Sequence, residues 1–395
     1  MHHDPHAPVA PSAAGPLAAA TDLCTFCPRL CSHACPVSLA SAREALTPQA
    51  KMASLGLLQK SADHATAAEL APPLYGCTGC GACTTACLHH VEPGSVLMRG
   101  RALAVRSEVG DPELAELPAR QRRRSRAAAQ EVQSDPELHR RRATAGQIAL
   151  LPSCLPRQPA TAQKPELGGP ADEAHATLRV LDRLRATGVE LPPIGVAMLP
   201  HGCGGYALYA SGFTESFRLY AESLAREVES FDTLVLSCSA CTWLLRTQYP
   251  EHGVPLQPAI RHVSELLAPH AAALPVTRPL PRLTYHDPCH LGRRLGCYEP
   301  PRQLLARAAL QLDEFWHHHE ESVCCGSGGL LPLTNRPLAD AMATERRHDR
   351  DDGAAATPIV SACPACQRHL SRDSGTEIRS LIEVLDAATT PSAAP

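Results

Sequence analysis

The chain has 395 residues, a formal net charge of −3 and only 4% aromatic residues. The small charge and the scarcity of rings for stacking on bases lead us to expect no nucleic-acid partner. No run of about 18 apolar residues occurs, so we expect no transmembrane segment. A chain of this length does not need disulfides to fold. Its eighteen cysteines therefore indicate metal chemistry, and we expect a cytoplasmic protein.

The first twenty residues are rich in Ala, Pro and His. They lack the basic start and the continuous apolar core of a signal peptide. We expect residues 1–20 to be disordered.

Two cysteine runs follow, CTFCPRLCSHACP at 24–36 and CTGCGACTTAC at 77–87. Three closely spaced cysteines suit a loop around one face of a [4Fe–4S] cube, and in two-cluster ferredoxins the fourth cysteine of each run binds the other cluster. We therefore predict two [4Fe–4S] clusters. The first would be held by Cys24, Cys27, Cys31 and Cys87, and the second by Cys77, Cys80, Cys83 and Cys35. A pair of zinc sites is the alternative, because four thiolates also bind zinc.

These runs predict a helical ferredoxin-type two-cluster domain over residues 21–104. Residues 43–60 and 95–106 have helical patterns. Residues 105–145 are rich in Arg, Glu and Ala, which predicts a charged helical connector with a solvated face.

From residue 146 onward, short apolar runs end at or just before a cysteine, which is typical of buried parallel strands. The cysteines in question are Cys154, Cys203, Cys238, Cys289 and Cys363. Helical patterns lie between these runs. One covers 172–188, where Asp172 would cap the start, Gly188 would close the end, and Leu178, Leu181 and Leu184 share a face. Because ligands gather at the carboxyl ends of parallel strands, we expect one site in each half.

The two halves contain the same motifs in the same order, which indicates an internal duplication. Residues 146–272 contain Cys154, HGCGG at 201–205 and CSAC at 238–241. Residues 273–388 contain Cys289, CCGSGG at 324–329 and CPAC at 363–366. Glycines beside the cysteines let backbone amides approach sulfur closely. The predicted architecture is therefore a ferredoxin-type domain followed by two repeated α/β cysteine-rich domains.

The motifs YHDPCHLGR at 285–293, CCGSGG and CPAC resemble the cysteine-rich (CCG) domains of heterodisulfide reductase subunits. Two ferredoxin-type runs followed by two such domains resemble the iron–sulfur subunits of glycolate oxidase and of anaerobic glycerol-3-phosphate dehydrogenase. The resemblance covers about residues 21–385. In heterodisulfide reductases a complete repeat binds a non-cubane cluster through five cysteines. Carried over by position, a third cluster would be held by Cys289, Cys324, Cys325, Cys363 and Cys366.

The first repeat departs from this pattern, because Gly202 stands where the first cysteine of the pair would be. Its four cysteines, Cys154, Cys203, Cys238 and Cys241, suit a fourth site holding a cubane cluster or zinc, or a vestigial site. His201, His286 and His290 lie beside site cysteines, where they suit metal ligands, hydrogen-bond donors, proton carriers or simple packing. Cys297 stands outside the pattern and is interpreted as a small core residue.

Three functions fit these features. In the first, the chain is an electron-transfer subunit between a flavoprotein dehydrogenase, acting on a small hydroxy acid or polyol, and a quinone or membrane-associated acceptor. Such a subunit would be cytoplasmic or peripheral on the inner face of the membrane. The second is a thiol–disulfide reductase that uses the second-repeat cluster, and the third is a zinc-stabilised docking scaffold. No G-x-G-x-x-G loop follows a strand, so we expect no flavin on this chain. No side chain is assigned a catalytic role.

Overall fold

The computed structural model describes residues 17–159, 166–354, 356–372 and 374–391. Of the segment predicted to be disordered, residues 1–16 lie outside these ranges, and residues 17–20 belong to the helix Leu17–Thr25. Within the described ranges, no helix is both long enough and apolar enough to cross a membrane.

The first part of the chain consists of short helices around the two cysteine runs. The helical pattern at 43–60 is divided at Thr47, whose hydroxyl accepts a hydrogen bond from the Ala50 amide at 3.2 Å. Thr47 thereby caps a new helix that begins with proline. The pattern at 95–106 extends two residues further towards the N-terminus. The α-helices of this part are Leu17–Thr25, Pro36–Ser41, Pro48–Leu58, His64–Leu70, Pro72–Tyr75, Ala82–Thr85 and Pro93–Arg106, with 3-10 turns at Leu30–Ala34 and Glu44–Leu46.

The charged connector is helical, but one of its faces is buried. It comprises a 3-10 turn, Pro112–Leu114, and the helices Leu117–Ser134 and Pro136–Arg140. Along the longer helix the buried residues recur at helical spacing, at Leu117, Gln121, Ser125, Ala128, Ala129 and Val132. The arginines between them are exposed. The longer helix therefore packs against the protein along one side and exposes its charges on the other.

The first half of the cysteine-rich region contains a parallel four-stranded sheet. Its strands are β1 Ile148–Leu151, β2 Ile194–Val196, β3 Thr233–Leu236 and β4 Ala259–His262, and their order in the sheet is β2-β1-β3-β4. The α-helices of this half are Pro170–Ala186, Tyr206–Ser211, Thr214–Val228, Ser239–Trp243, Tyr249–Glu251 and Val263–Leu267; Leu244–Gln248 forms a π-helical turn and Ala268–Ala273 a 3-10 turn.

The helix predicted at 172–188 begins at Pro170 and ends at Ala186. Asp172 is its third residue and not its cap. The carboxylate of Asp172 accepts a hydrogen bond from the Gly169 amide at 2.7 Å, which satisfies one backbone donor at the start of the helix. Gly188 follows the end with a φ of 89°, as expected for a glycine just beyond a helix.

The second half has a parallel sheet with the equivalent strand order. Its strands are β5 Leu280–His286, β6 Ala309–Glu314, β7 Ile359–Ser361 and β8 Ile378–Ser380, ordered β6-β5-β7-β8. The α-helices of this half are Gly292–Leu295, Glu299–Ala308, Leu331–Thr334, Arg336–His348, Pro364–Leu370 and Leu381–Thr389, with 3-10 turns at His319–Glu321, Gly328–Leu330 and Asp352–Ala354. The protein therefore mixes helices with two small parallel sheets.

The two sheets share one hydrophobic core. Buried side chains of both halves, including Leu150 and Val196 from the first and Leu283 and Val360 from the second, belong to the same apolar cluster. Outside this core, Nη1 of Arg183 pairs with the Asp386 carboxylate at 2.8 Å and so joins the first helix of one half to the last helix of the other. Packing across the halves positions the cysteine motifs of one against those of the other.

Candidate metal centres

Four cysteines from both N-terminal runs line one cavity: Cys24, Cys27, Cys31 and Cys87. Cys24 lies in the last turn of the helix Leu17–Thr25, and Cys87 follows the short helix Ala82–Thr85. Burial, reinforced by the neighbouring thiols of Cys87, Cys31 and Cys27, raises the pKa of Cys24 to about 12. The fold therefore brings the last cysteine of the second run to the first three of the first run. We call this set site 1.

The remaining four N-terminal cysteines line a second cavity: Cys35, Cys77, Cys80 and Cys83. Burial and then the thiols of Cys77, Cys35 and Cys80 raise the pKa of Cys83 well above its usual value. The amide of Gly79 donates to the Cys77 sulfur at 3.4 Å, a contact that stabilises a thiolate. We call this set site 2.

Two buried cations lie beside site 2. Lys51 lines its cavity and is 1% exposed, and Arg101 is 0% exposed. Arg101 uses its N–H groups only on backbone carbonyls, those of Leu74, Cys77, Ala210 and Gly329. Neither cation pairs with a carboxylate of the described residues. A buried charge without a counter-charge is costly, so an anionic centre held by four thiolates suits this site.

The five cysteines predicted for the third cluster meet in the second half, and we call them site 3: Cys289, Cys324, Cys325, Cys363 and Cys366. The sulfurs of Cys325 and Cys366 are 3.3 Å apart. Cys289 and Cys324 belong to one buried cluster, and the Gly326 amide donates to the Cys324 sulfur at 3.4 Å. Hydrogen bonds from Cys324 and Cys366 lower the pKa of Cys325, which favours its thiolate, the form that binds metal.

His286 faces site 3 as a neutral ring. One of its nitrogens lies within 4.8 Å of the sulfurs of Cys325 and Cys366. Its Nδ1 accepts a hydrogen bond of 3.0 Å from Nε of the buried Arg346, so Nδ1 carries no proton. Nε2 then holds the proton and has no partner among the described side chains and backbone. Burial, and then Arg346, lower the pKa of His286 to about 3. His286 can therefore donate an N–H bond to sulfur at neutral pH.

A charged pair that the sequence pattern did not reveal supports the loop of Cys289. Asp287 is 2% exposed, and its carboxylate receives two bonds, of 2.8 and 2.7 Å, from Arg302. Arg302 also reaches Glu314. Burial would raise the pKa of Asp287, but the bonds from Arg302 outweigh it and hold that pKa below its usual value. Because a paired buried carboxylate fixes its backbone, this pair holds the residues that precede Cys289.

Sites 2 and 3 are in direct contact. Cys80 of site 2 and Cys324 of site 3 belong to the same buried cluster, and the proximity of Cys324 is the largest cause of the raised pKa of Cys80. Arg293 spans the same junction. Its Nε donates to the Cys80 carbonyl at 3.0 Å, and its Nη1 donates to the Ser322 carbonyl at 2.5 Å. One side chain thus fixes a loop of site 2 against the segment that leads into site 3.

The four cysteines of the first half, Cys154, Cys203, Cys238 and Cys241, form a series of contacts that we call site 4. Cys203 and Cys241 are buried in one cluster, and the partly buried Cys154 and Cys238 pack against it. This group lies next to site 3, because Ser239, which follows Cys238, donates to the carbonyl of Ala362, which precedes Cys363, at 2.6 Å. The shared core brings the carboxyl ends of β3 and β7 together, so the two cysteine groups are neighbours. The expectation of one site in each half stays a prediction.

The connector helix closes site 4. Nε2 of Gln121 donates to the Cys203 sulfur at 3.0 Å, and the Gly205 amide donates to the same sulfur at 3.4 Å. A side chain at Gly202 would press against this helix, since its Cβ would lie 3.0 Å from the Ala129 nitrogen. The position that lacks a cysteine is thus filled by helix backbone. Gln121 was missed in the sequence because nothing in a charged helix marks one amide as a sulfur contact.

The other candidate residues are distributed as follows. Nδ1 of His290 is 3.5 Å from the Cys289 sulfur, and its ring packs against Trp243. His201 instead lies 3.6 Å from Glu227 and stacks on Tyr220. Cys297 is buried in the shared apolar core, away from the four sites.

Comparison with known proteins agrees with this layout. The family model of a 4Fe-4S dicluster domain matches residues 20–91, and that of the CCG cysteine-rich domain matches residues 283–371. Together these segments contain sites 1 and 2 and all five cysteines of site 3. No solved structure matches the chain significantly.

Several curated proteins are similar to the chain. A fumarate reductase (CoM/CoB) subunit of Methanothermobacter marburgensis is 26% identical over 333 residues, which cover 80% of this chain and 61% of that protein. A dihydromethanophenazine:CoB–CoM heterodisulfide reductase subunit of Methanosarcina barkeri is 30% identical over 228 residues, covering 54% of this chain and 53% of that protein. EtfAB:quinone oxidoreductase of Syntrophomonas wolfei is 31% identical over 162 residues, covering 38% and 22%.

The chain thus covers less than two thirds of each of these relatives. It contains a segment that matches a 4Fe-4S dicluster domain, followed by one that matches a CCG cysteine-rich domain, in the order expected from the cysteine runs.

Proposed function

We propose that the chain is an electron-transfer subunit in which sites 1, 2 and 3 hold iron–sulfur clusters in series. One observation carries this proposal: Arg293 donates to the Cys80 carbonyl of site 2 and to the Ser322 carbonyl next to site 3, and Cys80 and Cys324 belong to one buried cluster. Cys31 of site 1 is in turn close enough to Cys83 of site 2 to help raise its pKa. Iron–sulfur clusters supply reversible one-electron transfer at potentials that their surroundings set. These contacts support site 2 as the middle member of the series.

The donor in this proposal is a flavoprotein dehydrogenase that oxidises a small hydroxy acid or polyol, and the acceptor is a quinone or a quinone-linked protein. The similarity to a protein named EtfAB:quinone oxidoreductase supports a quinone as the acceptor. The proposed subunit would be cytoplasmic or peripheral on the membrane. The proposed domain limits are 21–104, 146–272 and 273–388, with 105–145 as the connector, and the equal strand order of the two sheets supports a duplication.

The residues around each site indicate its role in the proposed function. At site 2, the Gly79 amide donates to the Cys77 sulfur, and Lys51 and Arg101 place positive charge beside the cysteines. At site 3, His286 presents an N–H group to sulfur, and Arg346 fixes that tautomer. Arg293 holds the two sites together, so a structural change at one site displaces the other. Water has little access, because the cysteines of site 3 are all buried.

The test is anaerobic purification of the full chain, followed by quantification of iron, sulfide and zinc and by EPR of the reduced and oxidised protein. Filling sites 1 to 3 with four-iron clusters gives about twelve irons per chain. We expect the Cys24→Ser and Cys87→Ser variants to lose the same EPR signal, and Cys77→Ser and Cys35→Ser to lose a different one.

Cys297→Ser is the matched control and is expected to keep all iron, because Cys297 lies in the apolar core. Zinc in place of iron throughout would overturn the electron-transfer function and leave the docking scaffold. Loss of the same signal in Cys24→Ser and Cys35→Ser would overturn the crossed assignment of ligands alone.

A second function, disulfide reduction at site 3, is favoured by its five cysteines and by the His286 N–H group beside them. Reducing a disulfide to two thiols takes two electrons and two protons. Similarity to a heterodisulfide reductase subunit supports this alternative. Turnover of a disulfide with a chemical electron donor, abolished in Cys325→Ser, would establish it. Turnover that requires a flavoprotein, with no activity on disulfides, would establish the relay.

A further inference from the structure

A cleft opens where the dicluster domain meets both halves of the cysteine-rich region. Its volume is about 330 Å³, which falls within the range of small-molecule sites, about 300–1,000 Å³. Gly81, between two cysteines of site 2, forms part of one wall, and Trp243 and Arg294 form part of the others. Nothing in the proposed electron path uses this cleft.

Three polar atoms of the cleft residues are buried without a hydrogen-bond partner in the described chain. They are Nη2 of Arg293, Nε of Arg294 and Oγ1 of Thr84. Guanidinium nitrogens can only donate, and a buried donor without an acceptor is costly. These residues therefore suit a ligand that brings acceptor oxygens.

The two guanidinium groups are held in place by their other nitrogens. Nη2 of Arg294 donates to the Gly79 carbonyl at 3.1 Å, and its side chain is only 8% exposed. Arg293 is fixed by the Cys80 and Ser322 carbonyls. A ligand would meet these donors already oriented, which lowers the entropic cost of binding.

The other residues that line the cleft include aromatic and acidic side chains. The Trp243 ring lies beside Arg294, with the guanidinium carbon 5.6 Å from the ring centroid, and Tyr209 and Tyr298 also line the cleft. Glu92 is neutralised by Arg294 at 3.3 Å. Glu251 and Glu320 are exposed, at the outer rim. The unpartnered donors thus lie inside, next to an aromatic wall.

We propose that this cleft binds a small organic carboxylate, with its oxygens on Arg293, Arg294 and Thr84 and its carbon skeleton against Trp243. Bound there, the anion adds negative charge next to the loop of Cys80 and Cys83. It thereby lowers the reduction potential of the centre at site 2. The second part rests on the proposed electron-transfer function, whereas the binding itself does not.

Calorimetric titration of the anaerobically purified full chain tests the binding, with benzoate as the probe. Benzamide has the same shape without the charge, and inorganic phosphate has the charge without the ring. We expect benzoate to bind at least about tenfold more tightly than benzamide, since bonds to charged groups are the stronger ones. Equal affinity for benzoate and benzamide, or tighter binding of phosphate than of benzoate, would overturn the carboxylate site.

Three variants locate the site. Arg294→Gln is expected to weaken benzoate binding about tenfold or more, and Thr84→Val, which preserves shape, by severalfold. The Thr84 hydroxyl has no partner among the described residues, so Thr84→Val keeps the test valid if Arg294→Gln does not fold. The control is Arg122→Gln on the exposed face of the connector helix, which should leave the affinity unchanged. Unchanged affinity in Thr84→Val would overturn the placement.

An EPR redox titration with and without saturating benzoate tests the effect on site 2. The expected result is a lower midpoint potential for one dicluster signal, and a smaller shift in the Thr84→Val protein when benzoate is held near the Kd of the unmodified chain. Binding without any shift would overturn the coupling and leave the carboxylate site standing. A shift with benzamide equal to that with benzoate would overturn the electrostatic cause.

Discussion

Arg101 and Cys77 are joined by a hydrogen bond of 2.6 Å from the Arg101 guanidinium to the Cys77 carbonyl oxygen. The same guanidinium donates to Ala210 of the first half at 2.6 Å and to Gly329 of the second half at 2.8 Å. The dicluster domain and both halves of the cysteine-rich region therefore contact the same buried guanidinium. Because Cys77 belongs to site 2, this buried charge also lies beside a candidate metal centre.

Replacing Arg101 by Met should loosen this junction and lower the potential at site 2. Each carbonyl left without a donor costs about 1–3 kcal/mol. Loss of a nearby positive charge makes an anionic centre harder to reduce. The checks are limited proteolysis and an EPR redox titration. Arg101→Lys keeps the positive charge, so it should retain most of the reduction potential at site 2. It should not restore the junction, because lysine cannot reach all the carbonyls that Arg101 contacts.

Arg106→Met serves as the control for Arg101, since Arg106 is exposed in the last turn of the same helix. An Arg101→Met protein as resistant to protease as the control would show that the carbonyl contacts do not hold the domains together.

A methyl group at position 329 should separate the second half from the dicluster domain. Gly329 has a φ of 59°, and a Cβ there would overlap the Cys77 carbonyl oxygen. Gly296 has a similar φ of 66° with open space around it. Gly329→Ala should therefore lower the thermal midpoint far more than Gly296→Ala, which carries only the backbone strain. An equal fall in thermal midpoint in the two variants would mean that the positive φ alone accounts for the destabilisation.

The sequence predicted local features well, and the reason is visible at particular residues. Gly188 follows the end of its helix as predicted, and the apolar runs before Cys238 and Cys363 form buried strands, because helix ends and strand patterns depend on neighbouring residues. Thr47, which divides the pattern at 43–60, was missed. The spacing of the two runs also predicted which thiols would lie around each N-terminal cavity. That these thiols bind clusters stays a prediction.

The contacts between parts of the chain could not be predicted in this way. Arg293 meets the Cys80 carbonyl across 213 positions, and Gln121 meets Cys203 across 82. Such contacts arise from how domains dock, which leaves no period or motif in the sequence. The contact of Ser239 with Ala362, beside Cys238 and Cys363, was missed for the same reason, since each half was considered as its own site.

Restoring the missing cysteine of the first half should not restore a five-cysteine site. In Gly202→Cys the new side chain would press on Ala128 and Ala129 of the connector helix. Such overpacking costs about 1–3 kcal/mol. We expect a lower thermal midpoint and no additional iron, and the same midpoint loss in Gly202→Ala.

Gly375→Ala is the control for position 202, because Gly375 is exposed with no atom near the added carbon. A stable Gly202→Cys protein with extra iron would mean that the connector helix moves aside, contrary to its packing on site 4.

Acid should weaken the contact between the two halves through His262. This residue is 0% exposed, and its Nε2 lies 3.0 Å from the Ser237 carbonyl oxygen and 3.1 Å from that of Ala362, the residues that precede Cys238 and Cys363. Nε2 therefore donates, and Nδ1 is left to accept from Ser264. Burial lowers the pKa of His262 below its ordinary value. The unfolded chain then binds more protons than the folded one below about pH 6.5.

Stability is consequently full above about pH 6.5 and declines as the pH falls below it, towards the lowered pKa of the folded state. His262→Gln, which still donates to a carbonyl, should flatten this part of the profile at some cost in stability near pH 7. The measurement is the thermal midpoint of the full chain between pH 7.5 and about 5. His64→Gln, at an exposed position, should keep the slope of the unmodified protein. A His262→Gln profile as steep as that of His64→Gln would assign the acid sensitivity to other buried histidines. His286 and His290, whose pKa values are both lowered to about 3, are the first of these to replace.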